Sequence, residues 1–150
     1  MRNESFARYR MIVTMKTDLP INAVLPVLID TVRASPCVVL SAAPGAGKTT
    51  RVPLALLESH VIDGRIIVLE PRRLAAVRAA QFMAQLLGEK VGETVGYRIR
   101  GENRMSSRTK IEVVTEGILA RLTQNDPELS GISLIIFDEF HERSLHADLG

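Results

Sequence analysis

The sequence has a single cysteine and no long run of apolar residues. Cys37 cannot form an intrachain disulfide, a cysteine usage typical of a reducing compartment. It lies in an apolar run and is predicted to be a small core residue. No apolar stretch reaches the roughly 18 residues that indicate a membrane span, and the Met11-Ile12-Val13 patch is too short for the apolar part of a secretory signal. A cytoplasmic location is therefore the default expectation.

Neither sign of charge is in large excess, since the formal net charge is +2. A balance this weak permits a polyanionic partner without requiring one. The densest group of basic residues lies between Arg98 and Lys110, where Glu102 is the only acidic residue. A solvated loop surface accounts for this cluster about as well as a polyanion-binding surface does.

The 150 residues suffice for one ordinary domain, and apolar runs alternate along them with helical patterns. This alternation predicts an α/β fold, a mostly parallel sheet with helices on both faces. Residues 1–18 precede the pattern as an N-terminal extension to which no function is assigned. The main predicted elements are a helix from Leu19, strands at 37–40 and 65–70, an alanine-rich helix closed by Gly88, a polar loop at 101–109 and a strand in "SLIIFDE" (133–139).

A glycine-rich loop, "SAAPGAGKTT" (41–50), follows the first of these strands. Glycines without a Cβ allow the backbone to curl so that its N–H groups face an anion. Lys48 adds a positive charge near the outer phosphates of a nucleotide, and the Thr49 hydroxyl can bind Mg²⁺. Ala42 replaces the first glycine of G-x-x-x-x-G-K-[ST], but the loop satisfies A-x-x-G-x-G-K-T; a chance glycine turn is the alternative. The predicted phosphate-binding residues are Pro44, Gly45, Ala46, Gly47, Lys48, Thr49 and Thr50.

Two adjacent acids end the last apolar strand, far along the chain from the loop. If that strand is parallel to the first, Asp138 can reach the magnesium shell through coordinated water. Glu139 can then orient and deprotonate the water that attacks the γ-phosphate. A D-E pair alone is a weak signal, but together with the phosphate loop it predicts one site for ATP and Mg²⁺.

Four motifs together resemble those of the DEAH-box helicases of superfamily 2, and in particular a bacterial branch of that family. They occur in the family's order and approximate spacing, from about Leu19 to Gly150. The motifs are "AAPGAGKTT" (42–50), "EPRRLAA" (70–76), "VVTEG" (113–117) and "DEFHERS" (138–144).

The resemblance implies a RecA-like first motor domain that binds and hydrolyses ATP with Mg²⁺, a P-loop NTPase fold. It assigns Lys48 and Thr49 to binding of phosphate and metal, Asp138 to binding of the metal, and Glu139 to activation of the attacking water. His141 matches the histidine that couples hydrolysis to neighbouring motifs, and Phe140 replaces the alanine of D-E-A-H, as in the bacterial branch.

The resemblance also places Arg72, Arg73 and Thr115 against the backbone of single-stranded RNA or DNA. Arginine and hydroxyl groups suit phosphate oxygens, and such contacts are independent of base sequence. The alternatives are a helix start with solvated arginines and a helix cap at Thr115. Phe82 falls near the position where relatives often carry an arginine that stacks on the nucleotide base.

Family members hydrolyse ATP between two RecA-like domains, and the second is missing from these residues. The resemblance implies a first domain truncated after the D-E motif, incomplete at its C-terminus, with very slow hydrolysis and an unpaired sheet edge. Two other hypotheses remain open: a P-loop phosphotransferase of another class, and a fragment that binds nucleotide without turnover. RNA or DNA preference is not decided by the motifs.

Overall fold

A computed structural model describes residues 10–16, 21–42 and 48–138. Strands and helices alternate through most of this part of the chain, as the apolar pattern predicts. In chain order the elements are β1 (Arg10–Lys16), α1 (Ile21–Ala34), β2 (Cys37–Ala42), α2 (Lys48–Glu58), β3 (Arg65–Leu69), α3 (Arg73–Leu86), β4 (Val95–Ile99), β5 (Glu102–Arg104), β6 (Ile111–Val114), α4 (Glu116–Asn125) and β7 (Ile132–Phe137).

The seven strands form one sheet in the order β2-β1-β7-β3-β6-β4-β5. Every neighbouring pair is parallel except β4 and β5, which form an antiparallel hairpin. Strands in such a sheet are covered on both faces and are apolar almost throughout. β3 and β6 follow this rule, since Ile66–Leu69 and Ile111–Val114 are buried along their whole length.

Two separate apolar clusters lie on the two faces of the sheet. The larger cluster packs α1, α2 and α3 against one face, with Leu28, Leu56 and Met83 among its buried residues. The smaller cluster packs Ile118 of α4 against the other face, on Ile67 and Val114 and their neighbours. The predicted α/β arrangement with helices on both faces is therefore confirmed.

The largest departure from expectation is β1, which comes from the N-terminal extension. Its residues pair with β2 on one side, where Ile12 is opposite Val38, and with β7 on the other, where Ile12 is opposite Ile136. Ile12 itself is completely buried. The extension therefore contributes a strand to the interior of the sheet.

Two smaller expectations are wrong. Cys37 is exposed, because it starts the edge strand β2, and Val39 two residues on is 59% exposed on the same side of the strand.

Part of the predicted polar loop is strand β5, which pairs with β4. The Tyr97 hydroxyl there donates a hydrogen bond to Oε2 of Glu102, and this bond raises the pKa of Tyr97 above its usual value.

Two helices contain an internal proline. Pro26 is the sixth residue of α1, and Pro53 is the sixth residue of α2. Each removes one N–H from its helix but leaves the flanking turns in register. None of the helices in the described part of the chain is long and apolar enough to span a membrane.

The β4–β5 hairpin depends on a glycine at its crowded face. A Cβ on Gly96 would lie 2.3 Å from the backbone oxygen of Arg104, so only glycine fits without moving β5. We expect Gly96→Ala to lower the free energy of unfolding by about 1–3 kcal/mol, the usual cost of overpacking. Gly117→Ala is the matched control: a Cβ on Gly117, in α4, meets nothing within 4 Å, and alanine there should be neutral or stabilising. Urea unfolding of both variants measures the difference, and equal stabilities would contradict the packing of the hairpin.

Candidate nucleotide site at the carboxyl edge of the sheet

Four parallel strands end at the same edge of the sheet, and each is followed by one of the sequence motifs. β2 runs into the phosphate loop and α2, β3 into Glu70 and α3, β6 into Thr115 and α4, and β7 into Asp138. Because parallel strands share one direction, their carboxyl ends meet at one crevice. The backbone confirms the alignment: the Glu70 N–H donates to the Val114 oxygen at 2.9 Å, and the Asp138 N–H donates to the Leu69 oxygen at 3.2 Å.

The decisive contact joins the phosphate-loop helix to the acid strand. Oγ1 of Thr49, in the first turn of α2, donates a hydrogen bond of 2.6 Å to Oδ2 of Asp138, although 89 positions separate them in the chain. Asp138 is 3% exposed and Thr49 is half-buried. The hydroxyl and the carboxylate predicted to share one cation therefore lie side by side.

This donor pair fits a magnesium ion. Mg²⁺ prefers oxygen ligands, few of them from protein carboxylates, and keeps several waters. A threonine hydroxyl and an aspartate carboxylate within 2.6 Å of each other supply that chemistry. Across residues 10–16, 21–42 and 48–138 there is no group of three or more His, Cys, Asp or Glu side chains that could hold a metal ion by themselves.

Several predicted site residues lie outside the described part of the chain. Lys48 is the first residue of α2, and its backbone places it at the helix N-terminus, where anions bind; its side chain is not described. Thr50, two residues after Lys48, is buried. The predicted residues outside the description are Pro44, Gly45, Ala46, Gly47, Glu139, Phe140 and His141.

An open cleft of about 830 Å³ extends from Thr49 and Thr50 along α3. Three arginines, Arg72, Arg73 and Arg78, line it together with the buried Glu70. Other lining residues are Leu74, Ala75, Ala79 and Phe82. The lining of the cleft therefore combines basic side chains with apolar and aromatic ones.

The residues predicted to bind nucleic acid lie on this same edge. Arg72 is the N-cap of α3 and Arg73 its first residue, and both are exposed. Thr115 is the N-cap of α4, but its hydroxyl makes no capping hydrogen bond. The side-chain cap that was the alternative role for Thr115 is thus not formed. β3 and β6 are adjacent, with Leu69 opposite Val114, so the two helix starts are neighbours.

The basic cluster at 98–110 is partly structural. Nε of Arg98 lies 3.3 Å from Oε2 of the buried Glu112, which also pairs with Arg65. Arg108 pairs with Glu93 at 2.6 Å, and the pKa of Glu93 is lowered by the Lys90 backbone N–H and by Arg108. Arg104 lies 4.0 Å from Glu102 as well, so at least three of the clustered arginines have carboxylate partners within the fold.

Sequence reasoning did not single out Arg78 or Leu74 as site residues. Arg78 lies one turn before Phe82 on α3, and Leu74 one turn before Arg78, so the three share one side of the helix. Leu74 is 72% exposed and Phe82 is 50% exposed. The four-residue spacing of Leu74, Arg78 and Phe82 was the available signal, but only the fold shows that it faces the cleft.

Comparison with known families identifies the class of protein to which the chain is related. The DEAD/DEAH box helicase family matches residues 23–147, which contain all four motifs. The chain belongs to the DEAD/DEAH box helicase family. The resemblance inferred from the motifs is thereby confirmed, and the seven-stranded, mostly parallel sheet is the RecA-like fold that it implied.

The helicase family match is supported by individual relatives and by solved structures. The chain is 58% identical to the ATP-dependent RNA helicase HrpB of Escherichia coli over 133 residues, which are 89% of this chain and 16% of that protein. It is 38% identical to human ATP-dependent RNA helicase DHX30, over 87% of this chain and 11% of that protein. Crystal structures of E. coli HrpB superimpose with TM-scores of 0.81 and 0.82, covering 88% and 89% of this chain and 17% and 16% of those chains. The chain thus spans about a sixth of the length of HrpB.

The Thr49–Asp138 contact can be tested without any ligand. A double-mutant cycle of Thr49→Val and Asp138→Asn should give a coupling of about 1–3 kcal/mol in the free energy of unfolding, because the hydrogen bond involves a charged acceptor. Thr123→Val is a matched control, since among the described residues the Thr123 hydroxyl bonds only to the Leu119 and Ala120 oxygens within α4. A cycle of Thr123 with Asp138 should show no coupling. Additive effects of Thr49→Val and Asp138→Asn would mean that the two side chains do not meet.

Proposed function

We propose that this chain is the ATP-binding motor domain of an ATP-dependent RNA helicase, and that it binds and hydrolyses ATP with Mg²⁺ at the carboxyl edge of the sheet. The observation that carries the proposal is the 2.6 Å hydrogen bond between Thr49 and Asp138, which places the phosphate-loop helix and the acid strand at one point. The relatives named above are ATP-dependent RNA helicases, which supports the same activity here.

In this proposal the triphosphate lies at the N-terminus of α2. The N–H groups of the loop and the helix start bind phosphate oxygens, and Lys48 adds a full positive charge. Thr49 and Asp138 would hold the metal, Asp138 through water. A bound Mg²⁺ neutralises charge on the β- and γ-phosphates.

Hydrolysis then requires an activated water. Glu139 follows Asp138 directly and accepts a proton from that water, while the water oxygen forms a bond to the γ-phosphorus. The bond from the γ-phosphorus to the bridging β–γ oxygen breaks, so ADP and inorganic phosphate leave. His141 couples this step to neighbouring motifs.

The apolar part of the cleft suits the nucleoside. Phe82 offers an aromatic face beside Arg78, and the cleft runs from Thr49 to these side chains. A ring stacked on Phe82 gains aromatic contact without the cation that an arginine would bring. We therefore infer weak discrimination among purine and pyrimidine triphosphates.

Variants of the phosphate loop and the acid pair test the enzymatic proposal. Glu139→Gln should retain Mg²⁺-dependent ATP binding and abolish hydrolysis, because glutamine cannot accept the proton from water. Lys48→Ala should weaken ATP binding as well, since it removes the charge at the phosphates. Single-turnover assays with the chain in excess over ATP, with and without single-stranded RNA, measure even slow hydrolysis, and a fluorescent ATP analogue measures affinity.

These assays separate the competing functions. A P-loop phosphotransferase would ignore the polymer and require a small phosphate acceptor. A nucleotide-binding fragment would bind ATP with no turnover under any condition. Equal ATP affinity in Lys48→Ala and the parent chain would overturn the site assignment.

The RNA-binding proposal rests on the shared edge of Arg72, Arg73 and Thr115. Arg73→Ala should weaken binding of single-stranded RNA several-fold and lower the slope of log affinity against log salt by about 0.7, the value for one phosphate contact on a single strand. Arg121 is an exposed arginine on α4, so Arg121→Ala is the matched control and should leave the RNA affinity and the salt slope unchanged.

Because Arg73 also lines the cleft beside Thr49, the same variants are titrated with ATP. If Arg73→Ala lowers the affinity for ATP but not for RNA, Arg73 belongs to the nucleotide site. If the parent chain binds single-stranded DNA more tightly than RNA, the proposed substrate is DNA instead of RNA.

A further inference from the structure

Arg78 places a positive charge on the side of α3 that lines the cleft. It is exposed and shares the lining with Thr49 and Phe82. Among the residues that the structure describes, none forms a hydrogen bond or an ion pair with the Arg78 side chain. Arg98 and Arg108, by contrast, pair with carboxylates of the fold. The guanidinium of Arg78 is therefore available to a ligand in the cleft.

The charges of the cleft favour an anionic ligand. Its lining contains three arginines, Arg72, Arg73 and Arg78, but only one carboxylate, that of the buried Glu70. An excess of positive charge in a cleft attracts phosphate groups, and salt screens the attraction. The ligand that suits this lining carries several negative charges.

The position of Arg78 along α3 is intermediate between the two ends of the proposed nucleotide. α3 starts at the edge of the sheet where Thr49 meets Asp138. At the usual helical rise, Arg78 lies about 7.5 Å along the axis from Arg73, and Phe82 lies about 6 Å farther. A nucleotide with its outer phosphates beside Thr49 and its ring on Phe82 therefore has its innermost phosphate beside Arg78.

We propose that Arg78 binds the α-phosphate of the nucleotide, the phosphate that carries the nucleoside. The inference rests on the proposed ATP site, in which Lys48 and the metal contact the β- and γ-phosphates. A guanidinium suits this role, because its planar N–H groups match two phosphate oxygens at once. AMP, ADP and ATP share the α-phosphate, so the contact contributes to the binding of all three.

Ligands that differ by one phosphate test the inference in the full chain. Adenosine, AMP, ADP and a hydrolysis-resistant ATP analogue are each used to displace a fluorescent ADP analogue, which gives four dissociation constants. AMP should bind the parent chain about tenfold more tightly than adenosine, because only AMP offers a charged acceptor to Arg78.

Substitution of Arg78 should act on the nucleotides and spare the nucleoside. We expect Arg78→Ala to raise the Kd of AMP, ADP and the ATP analogue by the same factor, about tenfold, and to leave the Kd of adenosine unchanged. Alanine is favourable in a helix, so this variant should keep its fold. Arg78→Lys should recover part of the loss, because it keeps the charge without the planar fork. Arg121→Ala, on α4 and outside the cleft lining, is the matched control and should change none of the four constants.

Two further variants mark the neighbouring parts of the site. Phe82→Leu should raise the Kd of all four ligands, adenosine included, because every one of them carries the ring. Lys48→Ala should raise the Kd of ADP and the ATP analogue but not that of AMP, which lacks the outer phosphates. Only a contact at the α-phosphate separates AMP from adenosine and treats AMP, ADP and the ATP analogue alike.

The outcomes separate this inference from the proposed function. If the parent chain binds the ATP analogue, but AMP and adenosine bind equally or respond equally to Arg78→Ala, the inference is wrong and the ATP site stands. If Arg78→Ala weakens binding of single-stranded RNA and leaves the four constants unchanged, Arg78 belongs to the RNA surface and the inference is again wrong. If the parent chain binds neither ADP nor the ATP analogue, the inference and the proposed function are both wrong.

Discussion

The common direction of four parallel strands is the constraint on which the candidate site depends. Polar residues follow the carboxyl end of each strand, and the hydrogen-bonded register of neighbouring strands aligns those ends along one edge of the sheet. Buried, almost entirely apolar strands can be parallel only because helices cover both faces of the sheet. The 2.6 Å contact between Thr49 and Asp138 is the local result of that long-range arrangement.

The cleft combines two kinds of surface that a nucleotide needs. Its lining includes Thr49, in the first turn of α2, and three arginines, which suit the triphosphate. It also includes Phe82, whose ring suits a flat heterocycle. Arg72 and Arg73 belong both to this lining and to the proposed RNA surface, so the two proposed surfaces are adjacent.

β1 lies in the interior of the sheet, although the sequence pattern assigned its residues to an N-terminal extension. Its apolar residue Ile12 is buried like any core residue, and Nη1 of Arg10 donates a hydrogen bond to the backbone oxygen of Val32 in α1. The family match begins at residue 23, so β1 lies outside it.

The sequence alone determined the fold class and the family, and it predicted the phosphate loop and the acid pair, because glycine spacing, lysine, threonine and the D-E pair are local patterns with local physical meaning. It also predicted most elements, from α1 to β7, through apolar periodicity. Only the tertiary structure decided that β1 enters the middle of the sheet, that Cys37 at the β2 edge is exposed, that Glu102–Arg104 pairs with β4, and that Arg78 faces the cleft beside Phe82. Strand order, edges and cleft walls arise from contacts between residues far apart in the chain, and no local pattern records which strand will pair with which.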